Sequence, residues 1–202
     1  MKKNSHKFRT LTFLLTTIFF LNLTSCGKKD SSDDSNDDNN NTTTTASNMT
    51  AKVDGDSWSA YYGVYGGSSP AGYAYVTDNG NGTYQISILG FRYSYTNSTF
   101  SGWDEISVSV YNVSGEGTYD LSASSSVYGQ GIYFSAPTTS FVDYVAFSTD
   151  TVNTGTLVIT SFDYTNKKIS GTFSFDAKEY APVDSNYVVS LTEGKFTDLT
   201  WN

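Results

Sequence analysis

Aromatic side chains are the residues of this sequence whose type and clustering most directly suggest a chemistry. The chain has 16 Tyr, 13 Phe and 3 Trp. The face of a flat ring packs on sugar C–H groups while polar neighbours hydrogen-bond the hydroxyls. The alternative is that these rings fill strand faces and cross-strand pairs. The residues that we predict to contact a ligand are Trp58, Tyr61, Tyr62, Tyr73, Tyr75 and Trp103.

Carboxylates are the second group considered, because glycoside hydrolysis needs two Asp or Glu side chains about 5–9.5 Å apart. Asp104 and Glu105 are adjacent, and neighbouring side chains of a strand point to opposite faces. Residues 78–82 offer oxygen atoms that suit Ca²⁺, but Gly80 breaks the EF-hand spacing and a hairpin turn is expected instead. We therefore predict neither catalytic residues nor a metal site.

Histidine and cysteine are almost absent, and this excludes several classes of enzyme. The single His is His6, which falls in a predicted signal peptide, and the single Cys is Cys26. Ser-His-Asp and Cys-His catalysis need an imidazole base, and the usual zinc sites need His or Cys ligands. The sequence favours a protein that is not an enzyme and has no cofactor, with acidic chemistry as the one catalytic option left.

Cys26 lies where a lipid anchor would be attached. The apolar stretch before it, residues 11–21, is shorter than the about 20 residues of a membrane-spanning helix, so we interpret residues 1–25 as a signal peptide. Its end, Leu23-Thr24-Ser25-Cys26, resembles the lipobox of bacterial lipoproteins. The resemblance implies that Cys26 carries two or three acyl chains, palmitate among them, and these would be the contact with the membrane. Two or more chains anchor stably, whereas one gives only marginal binding.

Residues 26–48 are polar and acidic and have no apolar periodicity, which predicts a disordered tether behind the lipidated cysteine. Lys28-Lys29-Asp30 and the later Asp33-Asp34 resemble the surface-export signal of Bacteroidota-type lipoproteins. This resemblance implies an outer-membrane lipoprotein that faces the cell surface. The alternative is an anchor that faces the periplasm.

Residues 49–202 have the length of one domain. They contain 6 Lys and Arg and 15 Asp and Glu, a net charge of −9. Nucleic-acid binding needs a basic patch to neutralise phosphates, so we expect no nucleic-acid partner.

The elements of this domain are predicted to be β-strands. Apolar residues alternate with polar ones between short turns rich in Gly, Asn, Asp and Ser, which is typical of an antiparallel all-β domain. The clearest hairpins join residues 71–77 to 83–91 and residues 156–162 to 168–175. Further strands are predicted over 105–112, 187–191 and 195–199. Roughly ten short strands indicate a two-sheet sandwich, with a lipocalin-like closed barrel as the alternative.

The strand and turn pattern is similar to that of an uncharacterised lipoprotein domain family of Bacteroidota. The resemblance implies an all-β domain and supplies no catalytic residues. The segments that carry it are residues 53–58, 117–121, 155–160, 163, 169–175 and 194–199.

Three functions remain open at this point. The first is a lipid-anchored binding module of the cell envelope whose ligand is a glycan or another envelope protein. The second is a structural or protein-interaction component of the outer-membrane surface without a small ligand. The third, an enzyme, has the least support. Asp150-Thr151-Val152 also resembles an O-glycosylation site of Bacteroidota envelope proteins, with Thr151 as the acceptor.

Overall fold

Alternation of buried and exposed residues makes this chain a set of antiparallel β-strands. The computed structural model describes residues 47–61, 71–97, 99–123, 129–136, 139, 144–180 and 186–201. Cys26, the predicted signal peptide, the predicted tether up to residue 46 and Tyr62 lie outside the described residues. Every regular element in the described ranges is a strand: β1 Met49–Val53, β2 Asp56–Ser59, β3 Gly72–Asp78, β4 Tyr84–Thr96, β5 Thr99–Val113, β6 Gly117–Asp120, β7 Gly129–Ala136, β8 Val145–Ser148, β9 Gly155–Asp163, β10 Lys168–Glu179 and β11 Val188–Thr200.

The strands form one strongly curled sheet, a half-barrel, with the order β2-β1-β11-β10-β8-β7-β5-β4-β3 and with β9 and β6 branching from β10. The predicted all-β fold is therefore confirmed. The two layers expected of a sandwich are halves of this one sheet. Because β10 is long, it pairs with β9 over most of its length and with β8 at its end, where Lys178 lies opposite Ser148. We call β3, β4, β5, β7 and β8 the five-strand layer and the other strands the six-strand layer.

The sheet is also joined at its other end, next to β2. The amide of Tyr61 donates to the carbonyl of Phe91 at 2.7 Å, and the amide of Tyr93 donates to the carbonyl of Tyr61 at 2.8 Å. Tyr61 thus pairs with β4 just beyond Gly90, which lies opposite the first residue of β3. These two hydrogen bonds satisfy the backbone N–H and C=O groups of Tyr61, and they link the two layers at this edge.

One hydrophobic core lies between the two layers. Ile86 and Ile88 of β4, with Ile106 and Val108 of β5, are fully buried, as the alternation predicts. The layers approach closely at Gly131 of β7, where a Cβ atom would lie 2.7 Å from the ring of Phe175 on β10. A side chain at residue 131 would therefore push the layers apart.

The predicted hairpins are confirmed as β3–β4 and β9–β10. β9 and β10 approach closely at Gly171, where a Cβ atom would overlap with the carbonyl oxygen of Val158. One prediction is corrected: the two strands predicted over 187–191 and 195–199 are one strand, β11, which begins at Val188. Glu193 and Asp198 have positive φ angles of 50° and 49°, and the register of β11 against β10 shifts at these two places without ending the strand.

Candidate functional site

The outer surface of the five-strand layer carries a row of aromatic rings. Side chains of β3, β4 and β5 that alternate with core residues point away from the core. The rings of Tyr73 and Tyr75 are 5.3 Å apart, those of Tyr73 and Phe91 are 6.0 Å apart, and those of Phe91 and Tyr93 are 6.5 Å apart. Tyr93 in turn contacts Phe100 at 5.7 Å. We call these five residues the aromatic row.

A second ring cluster continues the same surface towards β8. Trp103 of β5 packs against Phe134 of β7 at 6.4 Å and against Tyr144 at 6.1 Å, and the latter two rings contact each other at 5.4 Å. Trp103 is 9% exposed, whereas Tyr144 is 48% exposed. The indole is therefore covered by its neighbours, and Tyr144 is the ring of this cluster that solvent reaches most.

The structure brings together some of the predicted ligand-binding residues. Tyr73 and Tyr75 are in contact, and Tyr75 is 59% exposed while Tyr73 is half-buried. Tyr61 is 52% exposed and lies beside Phe91 and Tyr93 through its backbone hydrogen bonds. Aromatic side chains in cores are usually covered, so the exposure of Tyr61 and Tyr75 leaves them accessible to a ligand.

The structure places Trp58, also predicted to contact a ligand, in the core and not on the aromatic surface. Its side chain is 1% exposed and belongs to the core cluster. It packs beneath Gly90 of β4, where a Cβ atom would lie 2.9 Å from the indole. β2 alternates like the other strands, and residue 58 falls on its inner face, so no ligand reaches this ring. Trp103 is also largely buried, so at most an edge of its indole ring is accessible to a ligand.

Glu105 lies between the aromatic row and the second ring cluster, and the sequence indicated it only as half of a carboxylate pair. It is directly opposite Phe91 on β4 and Phe134 on β7. Burial raises the pKa of its carboxyl from 4.5 to about 7. Among the described residues, no hydrogen bond or ion pair reaches this carboxylate. The sequence feature that could have indicated Glu105 is its position two residues after Trp103, which places both side chains on the same face of the strand.

Asp104 points to the opposite face, as predicted for adjacent residues of a strand. It is 8% exposed, and Arg92 Nε donates to its Oδ2 at 2.9 Å. The hydroxyls of Tyr133 and Ser135 donate to its Oδ1 at 3.1 and 3.0 Å. Burial, followed by the charge of Asp104, raises the pKa of Tyr133 to about 12. Asp104 is thus held by its own neighbours on the inner side of the sheet.

Polar side chains border the aromatic surface towards the other end of the five-strand layer. The hydroxyls of Ser87 and Ser109 are 2.8 Å apart, and Gln130 Nε2 donates to the hydroxyl of Ser148 at 2.8 Å. Burial raises the pKa of the Tyr93 phenol, and the charges of Tyr95 and Glu105 add to the rise. Tyr93 and Glu105 therefore share one electrostatic environment on this face.

Two loops singled out by the sequence are closed by their own hydrogen bonds. Asp78 Oδ1 accepts from the amide of Gly80 at 2.7 Å, within the expected hairpin turn. Asp150 Oδ1 accepts from the amides of Val152 and Asn153, and these bonds lower the pKa of its carboxyl. Thr151 is exposed in this second loop.

Neither a metal-binding cluster nor a membrane-spanning helix occurs in the described residues. No group of three or more His, Cys, Asp or Glu side chains that could hold a metal ion is found in the ranges given above. In the same part of the chain, no helix is long and apolar enough to cross a membrane.

The fold and the outer face define an all-β domain with an exposed aromatic surface. A family model for a domain of unknown function, DUF6252, matches residues 98–200, about half of the chain. The chain belongs to this family, which confirms that it is an uncharacterised domain. No curated protein and no solved structure matches it. The matched residues include Trp103, Glu105 and Phe134, whereas Tyr61, Tyr73 and Tyr75 precede them.

Proposed function

We propose that this chain is a lipid-anchored, non-catalytic binding module of the cell envelope, and that the aromatic row binds a glycan. The observation that carries the proposal is the partly exposed line of rings from Tyr75 to Phe100 on the outside of the sheet. Core packing does not require rings on this side, because the core lies between the layers.

The physical basis is the match between this surface and a sugar. A pyranose ring presents C–H groups on its faces and hydroxyls around its edge, so it needs an aromatic face beside hydrogen-bonding groups. The aromatic row supplies the first, and the hydroxyls around Ser87 and Ser109 border it. The rings stand on strands of a hydrogen-bonded sheet, so little conformational entropy is lost when a ligand orders them.

Binding of the full-length protein, in mild detergent, to a panel of polysaccharides tests this proposal. We expect saturable binding to at least one polysaccharide and a loss of about tenfold or more in Tyr75→Ala, since one aromatic contact contributes about 1–2 kcal/mol. Tyr180→Ala is the matched control, because Tyr180 is 76% exposed but lies at the end of β10, outside the aromatic row.

The outcomes separate the two non-enzymatic functions. If Tyr75→Ala and Tyr180→Ala bind alike, the aromatic row is not the binding surface. If no polysaccharide binds, the aromatic rings are packing elements, and the protein-interaction role at the outer-membrane surface becomes the better proposal.

The anchor is the second part of the proposal. Acyl chains on Cys26 would hold the domain at the outer membrane, and residues 26–48 would let it project from the cell surface. We expect Cys26→Ala to lack acylation and to leave the membrane fraction, because the membrane affinity comes from the buried acyl chains. Cell fractionation with metabolic labelling by a palmitate analogue checks this. A variant that stays in the membrane fraction in equal amount contradicts the lipoprotein interpretation. The exposure of Thr151 supports the proposed O-glycosylation at that residue.

A further inference from the structure

Glu105 is the one carboxylate among the described residues of the outer aromatic surface, and its surroundings are apolar. The residues directly opposite it on both neighbouring strands are Phe91 and Phe134. Trp103 precedes it by two residues on the same strand face. A carboxylate taken partly out of water needs a compensating positive charge or hydrogen-bond donors. The described part of the chain provides neither.

The cations of the described residues are all located elsewhere. In the five-strand layer Arg92 is the only Lys or Arg, and it is committed to Asp104 on the inner side. Lys52, Lys168, Lys178 and Lys195 belong to strands of the six-strand layer, and Lys167 lies in the turn between β9 and β10. A bound ligand can therefore supply the positive charge that these residues do not bring to Glu105.

The rings around Glu105 are themselves suited to a cation. The negative faces of Phe, Tyr and Trp attract an ammonium group within about 6 Å of the ring centroid, and this attraction grows as water is excluded. A carboxylate in the same place adds Coulomb attraction for a cation, and this attraction is stronger in a partly desolvated site than in bulk water. Rings and carboxylate together select a positively charged group over a neutral polar one.

We propose that Glu105, with Phe91, Phe134 and Tyr93, forms a subsite for an amine or ammonium group, so that the glycan bound by this domain is a cationic one, rich in amino sugars. The inference rests on the proposed function. The ligand would then be positively charged, and Glu105 would determine the preference for it over a neutral glycan.

Two oligosaccharides of equal length test it: a chitin hexasaccharide, which is N-acetylated and neutral, and a trimethylated chitosan hexasaccharide, which carries permanent positive charges. Binding to the full-length protein is followed by isothermal titration calorimetry. We expect the cationic ligand to bind about tenfold or more tightly than the neutral one, through cation–π contacts and Coulomb attraction to Glu105. Glu105→Gln, which keeps the shape and removes the charge, should abolish this preference.

Two further variants distinguish a local subsite from the long-range attraction between an acidic chain and a cation. Glu116→Gln removes one exposed negative charge elsewhere from a chain with net charge −8, and it should keep the preference. Phe134→Leu keeps an apolar side chain and removes a ring, so it should weaken binding of the cationic ligand selectively. Circular dichroism confirms that each variant is folded.

The pH dependence provides an independent readout, because the charge of the trimethylated ligand does not vary. The titratable groups that share the face of Glu105 are phenols, those of Tyr93, Tyr95 and Tyr144 among them, and burial raises the pKa of the Tyr93 phenol. The affinity should therefore rise between pH 6 and 8 as Glu105 ionises, and should stay level in Glu105→Gln.

Each result decides between the two proposals. Binding of both hexasaccharides with equal affinity, or a cationic preference that survives in Glu105→Gln, overturns the cationic subsite and leaves glycan binding intact. Absence of binding to either ligand and to the polysaccharide panel overturns both. A cationic preference that is lost in Glu105→Gln and kept in Glu116→Gln supports both.

Discussion

Asp104 and Glu105 are neighbours in β5 that lie in opposite environments. Asp104 faces the inner side, where Arg92, Tyr133 and Ser135 all bind its carboxylate. Glu105 faces the outer side, between Phe91 and Phe134, and among the described residues its carboxylate has no hydrogen-bond or ion-pair partner. Both carboxylates are at least half-buried, so they differ in their hydrogen-bond and ion-pair partners and not in whether they are buried.

This difference shows which carboxylate is available for function. A buried charge whose hydrogen bonds are all made within the fold contributes to the structure and has nothing left to offer a ligand. A half-buried charge that the fold leaves uncompensated costs stability and persists as a group that a ligand can satisfy. On this argument Asp104 holds β4, β5 and β7 together, and Glu105 belongs to the proposed binding surface.

Removing Asp104 is the change that we expect to have the largest effect on the stability of the fold. Asp104→Ala leaves Arg92 and the Tyr133 hydroxyl without their partner, and losing one member of a buried pair typically costs about 3–5 kcal/mol. The Arg92 side chain is 34% exposed and can recover some hydration. We therefore expect the free energy of unfolding to fall by about 2–4 kcal/mol, measured by urea denaturation.

Two other variants show whether the network causes the loss. Asp176→Ala removes an exposed carboxylate from β10 and should change stability by less than about 0.5 kcal/mol. Tyr133→Phe deletes a single hydrogen bond to Asp104 and should cost about 1 kcal/mol. If Asp104→Ala is as stable as Asp176→Ala, the inner carboxylate is not the structural element that its contacts indicate.

The sequence predicts the elements around these carboxylates well, because local patterns determine them. Alternation along β4 and β5 places Ile86 and Ile106 inside, and the short Asp, Asn and Gly segments predict the turns. The same alternation predicts that Asp104 and Glu105 point apart. Sequence patterns do not reveal which strands are neighbours. The pairing of β8 with the end of β10, which joins the two layers into one sheet, depends on contacts between residues about 30 positions apart.

The candidate site is less accessible to sequence reasoning for the same reason. Tyr73 and Tyr75 form a local pair on one strand, so their proximity follows from the period of 2. Trp58 is also an aromatic residue of a short strand, but its side of β2 packs under β4. The environment of Glu105 requires the registers of β4 and β7 against β5, which bring Phe91 and Phe134 to it from about 14 and 29 residues away.

Neutralising Glu105 should have a smaller effect on stability, and of the opposite sign. The Asp104 variant loses stability, whereas the Glu105 variant should gain it. Burial raises the pKa of Glu105 from 4.5 to about 7, so the folded chain binds this proton more tightly than the unfolded chain does. The stability that the group contributes is present in acid and is lost as the pH rises through about 7. Glu105→Gln should therefore gain stability relative to the wild type between pH 5 and 8, by about 1–3 kcal/mol.

Urea denaturation of both proteins at pH 5 and pH 8 measures this gain, and the other titrations of the fold cancel in the difference between them. Glu116→Gln, which changes an exposed carboxylate in the turn before β6, should show no such pH-dependent gain. Removing an outer carboxylate would then stabilise the fold at pH 8, whereas removing the inner one destabilises it. A Glu105→Gln protein that is less stable than the wild type at pH 8 would show that Glu105 is compensated within the fold, and the distinction between the two faces of β5 would be lost.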